Sequence, residues 1–189
     1  MISSKLGRIL DRPLAPLAQR IPLGPNAITV FGFLVTAVAA FCIPFNLVAA
    51  GLLILLGGLF DMLDGLTARA KGMVSAFGAF LDSTLDRYSD SLIFLAFAWY
   101  FLERNDFYGI FWTLGALVGA LLTSYVRARA EGISIECSVG LMERPERVVL
   151  LALACITSRP LPFMIVLCVF SHITVIQRIL HVYRAGRQR

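Results

Sequence analysis

Charge is scarce in this chain. Charged residues fill 15% of the 189 positions and hydrophobic residues 58%, and the mean hydropathy is +0.80. A water-soluble domain needs more polar surface than that, so the composition reads as an integral membrane protein. There are two histidines, His172 and His181, and neither has companion metal ligands around it. Cys42, Cys137, Cys155 and Cys168 show no metal-ligand or disulfide spacing, which excludes a thiolate metal centre and a disulfide framework and leaves packing roles. No internal repeat is visible. The chain shows no signal-peptide pattern, because its first long apolar run starts near residue 27, after a basic amphipathic start. The net charge of +5 belongs to the flanks of membrane segments, so no nucleic-acid partner is expected.

Long apolar runs fill the rest. By length the chain is one domain, 1–189, with a juxtamembrane segment 1–25, a transmembrane bundle 26–184 and a basic tail 185–189. Ile2, Leu6, Leu10, Leu14, Leu17 and Ile21 recur at three- and four-residue intervals, with Lys5, Arg8 and Arg12 elsewhere on the wheel. This predicts an N-terminal interfacial amphipathic helix, interrupted by Pro13 and Pro16. Asn26 is placed to cap the helix that follows. Six transmembrane helices are expected, over about 27–44, 47–70, 74–102, 107–130, 146–158 and 162–182, giving an all-α fold. A span needs about 20 residues, which makes 146–158 short. The break at Arg159-Pro160-Leu161-Pro162 still argues for two helices there.

Lysine and arginine are distributed unevenly over the breaks. Lys5, Arg8, Arg12, Arg20, Arg69, Lys71, Arg127, Arg129, Arg144, Arg147, Arg178, Arg184, Arg187 and Arg189 fall on one side, and Arg104 and Arg159 on the other. The positive-inside rule then puts both termini in the cytosol of a multi-pass protein of the cell membrane.

The stretch from Asp61 to Asp86 concentrates the polar chemistry. Asp61 and Asp64 are three apart, and Asp82 and Asp86 four apart, so each pair projects from one helical face. Carboxylates within apolar spans are costly and read as functional. Acids in helices otherwise form solvated faces or pair with neighbours such as Arg69, Lys71 or Arg87. Two helices with two carboxylates each offer a nest for hard divalent cations, Mg2+ or Mn2+. Gly65 and Gly78 permit close approach, and Arg69 beside the acids suits a phosphate. Together these predict phosphoryl transfer assisted by two metal ions on the cytosolic half of the bundle. Asp90 continues the Asp82–Asp86 stripe and is expected to pair with Arg87 or another basic group.

The pattern D-x2-D-G-x2-A-R-x8-G-x3-D-x3-D, through Asp61, Asp64, Gly65, Ala68, Arg69, Gly78, Asp82 and Asp86, resembles the signature of the CDP-alcohol phosphotransferase family. The resemblance implies a CDP-linked lipid donor, CDP-diacylglycerol or CDP-archaeol, a polar phosphorylated alcohol as acceptor, release of CMP, and a homodimer in the bilayer. It implies two divalent ions on Asp61, Asp64, Asp82 and Asp86, with Asp86 also the catalytic base. It implies nucleotide contacts from Gly65, Arg69 and Ser75, and from the segment Asn26, Ala27, Ile28 and Thr29. The stretches SYVRARAE, ERPER and ITVIQR are similar to the phosphatidylinositol-phosphate synthase branch, in which residues matching Arg127, Arg147 and Arg178 hold the phosphate of inositol 1-phosphate. Pro145 and Glu146 suit a helix start that aims Arg147 at the cytosolic mouth. The same chemistry with glycerol 3-phosphate as acceptor is the alternative, and a cation carrier using the four acids is a remote one.

The charge count generates a test of topology. A cysteine introduced at Ser3 in an otherwise cysteine-free background is expected to react with a membrane-impermeant thiol reagent only in opened cells. Labelling in intact cells would reverse the orientation.

Overall fold

Each apolar run ends where a proline or a polar capping side chain interrupts it, and these breaks set the helices. The structure is a computed structural model that describes residues 21–187, and these are all-helical, with six helices and no strand among them. They are α1 (Pro25–Cys42), α2 (Leu47–Ala70), α3 (Ala76–Leu102), α4 (Phe107–Glu131), α5 (Arg144–Ile156) and α6 (Pro160–Gly186). The amphipathic helix expected in the first 20 residues lies outside the described residues.

The caps follow from local chemistry. Asn46, Ser75 and Asp106 each accept a hydrogen bond from the backbone N–H three residues on, at 3.0, 3.0 and 2.8 Å, satisfying one unpaired donor of α2, α3 and α4. Prolines open α1, α5 and α6, where the missing N–H costs nothing. Asn26 does not cap α1 as expected. Gly24 occupies the cap position, Pro25 begins the helix, and Asn26 sits inside the first turn with its side chain toward Gly78.

Among the described residues, α1, α2, α4 and α6 are long and apolar enough to cross a membrane, with mean hydropathy between 1.6 and 2.0. Helix α3 has the length, but Asp82, Asp86, Arg87 and Asp90 lower its hydropathy. Helix α5 has 13 residues, about 20 Å of helix, which is shorter than a hydrocarbon core of about 30 Å. The outward faces carry Phe41, Phe45, Phe107 and Phe111, all more than two-thirds exposed, as expected of surfaces that meet lipid. Inside lie Phe94 and Phe97 of α3, Ile54 of α2, Leu151 of α5, and Met164 and Leu167 of α6, all fully or almost fully buried. The four cysteines are free thiols, buried or half-buried, as packing roles require.

Lipid gives little hydrophobic drive between helices, so close packing and polar satisfaction hold the bundle. Buried Thr29, Thr36, Thr113 and Thr123 return their hydroxyls to the carbonyl four residues back. Helix α1 crosses α2 at glycines. A Cβ on Gly32 would lie 2.9 Å from Phe60 Cβ, and one on Gly57 would collide with Thr36 Oγ1. This contact presses the first turns of α1 against the carboxylate end of α2.

The non-helical segment 133–142 is tied to one face of α6. Thr174 Oγ1 accepts from the N–H groups of Leu141 and Met142 at 3.2 and 3.0 Å. Arg178 Nε donates to the Val139 carbonyl at 2.8 Å, and His181 Nε2 donates to the Glu136 carbonyl at 2.9 Å. Gly140, at φ +145°, makes a turn that a side chain would strain. The strap delivers the chain to Arg144 at the start of α5.

The α1–α2 contact generates a stability prediction. Gly57→Val overpacks the crossing, at a cost of about 1–3 kcal/mol, and is expected to lower the thermal midpoint of the detergent-solubilised protein. An unchanged midpoint would mean the crossing relaxes freely.

Candidate active site

Asp61 and Asp64 lie one turn apart on α2, and Asp82 and Asp86 one turn apart on α3. A tight turn through Gly72, at φ +65°, reverses the chain between them so that the two pairs face each other. Lys71 fixes that turn to the start of α1, donating to the carbonyls of Ile21 and Leu23 at 2.5 and 3.3 Å.

The structure divides the four acids. One carboxylate oxygen from each of Asp61, Asp64 and Asp82 lies within 4.8 Å of the others, with Asp64 buried and the other two half-buried. Asp64 Oδ2 and Asp82 Oδ1 are buried with no hydrogen-bond partner among the described residues. Buried carboxylate oxygens without donors are costly, and a divalent cation is the partner that an all-oxygen set of this kind accepts. The residues therefore fit an Mg2+ or Mn2+ site. Asp86 is joined to this group through a guanidinium. Arg144 pairs with Asp61 through Nη1 and with Asp86 Oδ1 through Nη2 at 2.8 Å. Arg87 Nη1 lies 3.8 Å from the other Asp86 oxygen.

Two cavities meet at the acids. The smaller, about 270 Å³, is lined by Asn26, Thr29, Gly65, Arg69 and Ser75 together with Asp64 and Asp82. A Cβ on Gly65 would lie 3.2 Å from Arg69 Nη1, so glycine leaves room for that guanidinium over the helix. A Cβ on Gly78 would crowd Ser75 Oγ and Asn26 Oδ1, at 3.0 and 3.1 Å. Of the expected nucleotide segment, Asn26 and Thr29 line this cavity. Ala27 is exposed and Ile28 packs into the core at 3% exposure, so neither lines it.

The larger cavity, about 570 Å³, brings Arg127, Arg147 and Arg178 together with Arg144 and Asp86. Asp82 lines both cavities and marks their junction. The three arginines are held differently. Arg127 is half-exposed and pairs with Glu131 one turn on, at 2.9 Å. Arg147 is buried and pairs with buried Asp90 at 2.7 Å, which identifies the basic partner that Asp90 was expected to have. Arg178, also buried, donates to the Thr123 carbonyl at 2.6 Å and to that of Val139, with Glu143 at 3.8 Å.

Sequence reasoning missed Arg144. It reads as one of many flanking basic residues at a membrane interface. The available signal was its place one turn before Arg147 at a proline-marked helix start, which puts both guanidinium groups on one face.

A family model described as CDP-alcohol phosphatidyltransferase matches residues 23–186. The chain is 40% identical to archaetidylinositol phosphate synthase of Methanothermobacter thermautotrophicus, over 93% of this chain and 91% of that one. It is 35% identical to phosphatidylinositol phosphate synthase of Mycobacteroides abscessus, over 94% of this chain and 84% of that one. Its fold is similar to the crystal structure of Mycobacterium tuberculosis phosphatidylinositol phosphate synthase with CDP-DAG bound. The TM-score is 0.82 at 32% identity, covering 92% of this chain and 93% of that chain. The same enzyme in complex with manganese and citrate matches at a TM-score of 0.79 and 33% identity, covering 92% and 88%.

The unpartnered oxygens generate a prediction about metal. Asp64→Asn removes a charged ligand, and losing one charge-assisted contact is worth roughly tenfold or more in affinity. The variant is expected to bind Mn2+ correspondingly more weakly in a direct titration of the detergent-solubilised protein. Unchanged Mn2+ affinity would remove Asp64 from the site.

Proposed function

Because the chain belongs to the CDP-alcohol phosphatidyltransferase family, we propose that it joins a CDP-linked lipid to inositol 1-phosphate and releases CMP. What carries this reading is the junction of the two cavities at the acids, one lined by the signature residues and the other by arginines. The relatives named for inositol-phosphate lipid synthesis span nearly the whole chain, and they support a phosphorylated inositol over glycerol 3-phosphate.

The donor lies in the smaller cavity. Asn26, Thr29, Gly65 and Ser75 line the space for its nucleotide, with Ala27 and Ile28 shaping the turn behind, and Arg69 offers a guanidinium to its phosphates. Asp61, Asp64, Asp82 and Asp86 hold divalent ions, Mg2+ or Mn2+, which supply charge neutralisation at the pyrophosphate. The acceptor phosphate sits in the larger cavity against Arg127, Arg147 and Arg178, and its inositol hydroxyl points toward the junction. Asp86 accepts the proton of that hydroxyl. The hydroxyl oxygen bonds to the lipid-bearing phosphorus, the bond from that phosphorus to the CMP oxygen breaks, and CMP leaves with the electron pair. Holding both substrates in line at a preorganised charged site is most of the catalysis that such a transfer needs.

The same reading extends to the setting. The chain forms one domain over 1–189, with six membrane helices, including α3 and α5, behind an interfacial N-terminal helix. It sits in the cell membrane as a homodimer, with both termini and the active site toward the cytosol. The basic flanks and the apolar exterior support this arrangement, in which a soluble acceptor and a membrane-bound donor reach one site from opposite directions.

The test offers purified protein a CDP-lipid, Mg2+ or Mn2+, and a panel of free and phosphorylated alcohols. Inositol 1-phosphate is expected to be the preferred acceptor, and preference for glycerol 3-phosphate or free inositol would overturn the acceptor assignment alone. Arg127→Ala is the cleanest variant, because its exposed pair with Glu131 contributes little to stability. A lost charge-assisted phosphate contact should raise KM for the inositol phosphate about ten- to a hundredfold. KM for the CDP-lipid is expected to stay near its original value.

A further inference from the structure

Four acids at one site usually suggest four equivalent ligands, but Arg144 breaks the symmetry. Its guanidinium spans Asp61 and Asp86, one from each helix, and Asp61 also converges with Asp64 and Asp82 in a cluster that leaves Asp86 out. The crevice lined by Asp61, Asp64, Asp86 and Arg144 keeps about 10 Å³ of free space, close to a single water-sized sphere. The guanidinium therefore fills the volume between Asp61 and Asp86 as well as balancing their charge.

The grip is incomplete. Arg144 Nε is buried with no hydrogen-bond partner among the described residues. The side chain is about a fifth exposed and also lines the 570 Å³ cavity, so an open space lies beside it. Arg144 is the first residue of α5, at a helix end where its side chain borders the open cavity. Arg147, one turn later, differs on each point. It is 2% exposed and paired with an aspartate outside the nest.

We propose that Arg144 is a displaceable counter-cation of the acid nest, competing with a divalent ion for Asp61 and Asp86. This rests on the reading that the acids hold metal. An ion on the Asp61–Asp64–Asp82 side leaves Arg144 in place. A second ion, which needs Asp61 and Asp86, binds as the guanidinium withdraws into the large cavity. The two ions then bind with different affinities, and Arg144 sets the difference. It also keeps Asp61 and Asp86 from facing each other as bare like charges, so Arg144 is a positioning residue for the nest.

The experiment is a Mn2+ titration of the full chain in detergent without lipid substrate, read by the electron paramagnetic resonance of free Mn2+. The wild type is expected to show a tighter and a weaker class of site. Arg144→Gln removes the competing charge and its two charge-assisted contacts, which should tighten the weaker class by about tenfold to a hundredfold. The tighter class should change less. Arg144→Lys keeps the charge but loses the fork that spans two carboxylates, and should fall between. If Arg144→Gln does not fold, the lysine variant decides the matter by the same shift in the weaker class. An unchanged or weakened second site in the variants, or two equal sites in the wild type, overturns the role of Arg144 and leaves the metal nest standing. A wild type that binds no Mn2+ overturns both.

Discussion

Carboxylates inside an apolar bundle are the constraint on which the rest of this structure depends. Each buried charge must find an opposite charge, a donor or an ion within the protein, because lipid offers none. Asp90 has Arg147, and Asp61 and Asp86 share Arg144. Arg178 is answered by two carbonyls with Glu143 nearby. Removing one member of a buried pair such as Asp90–Arg147 strands the other, at a cost of about 3–5 kcal/mol. Asp64 Oδ2 and Asp82 Oδ1 remain without protein donors, and both residues belong to the triad. Asp90 is answered within the protein by an arginine, whereas the cluster of Asp61, Asp64 and Asp82 keeps buried carboxylate oxygens without a donor.

The same constraint explains the shape of α5. A helix of 13 residues is a poor membrane span but an effective bracket for two arginines. Its first turn sets Arg144 against the nest and Arg147 against Asp90, and its later residues, such as Leu151 and Cys155, pack into the core. The preceding segment is fastened to α6 by Thr174, Arg178 and His181, so the bracket has a defined height. Arg178 thus supports the wall of the larger cavity while also lining it.

The two cavities differ in a way that suits their proposed occupants. The smaller is walled by the turns where α1, α2 and α3 begin or end, and the glycines there leave room for the side chains of Arg69, Ser75 and Asn26. The larger is rimmed by cations at graded depth, from half-exposed Arg127 to buried Arg147 and Arg178. Asp82 stands between them. A transfer that passes a group from one substrate to another needs such a shared wall, with the charge of both substrates met on either side of it.

Much of this was legible in the amino-acid sequence, because the determining physics is local or periodic. Apolar runs and their proline and polar breaks predicted six transmembrane helices, and the described residues hold six helices close to those boundaries, four of them long and apolar enough to cross a membrane. Helical spacing placed Asp61 with Asp64 and Asp82 with Asp86, and the signature pointed to the family before any fold was in hand. The reading of Asn26 as the cap of α1 misplaced it by two residues, because Pro25 takes the first helical position and leaves the cap to Gly24. Only a weak signal pointed to Arg144, because an arginine at a membrane flank looks much the same whether it meets water or a carboxylate 58 or 83 positions away. The sequence could not tell exposed Arg127 from buried Arg147, or show that Asp86 stands apart in space from the cluster of Asp61, Asp64 and Asp82. Those distinctions depend on which helices are neighbours. Charge at a distance in sequence becomes an ion pair only when the tertiary structure removes the water between the partners.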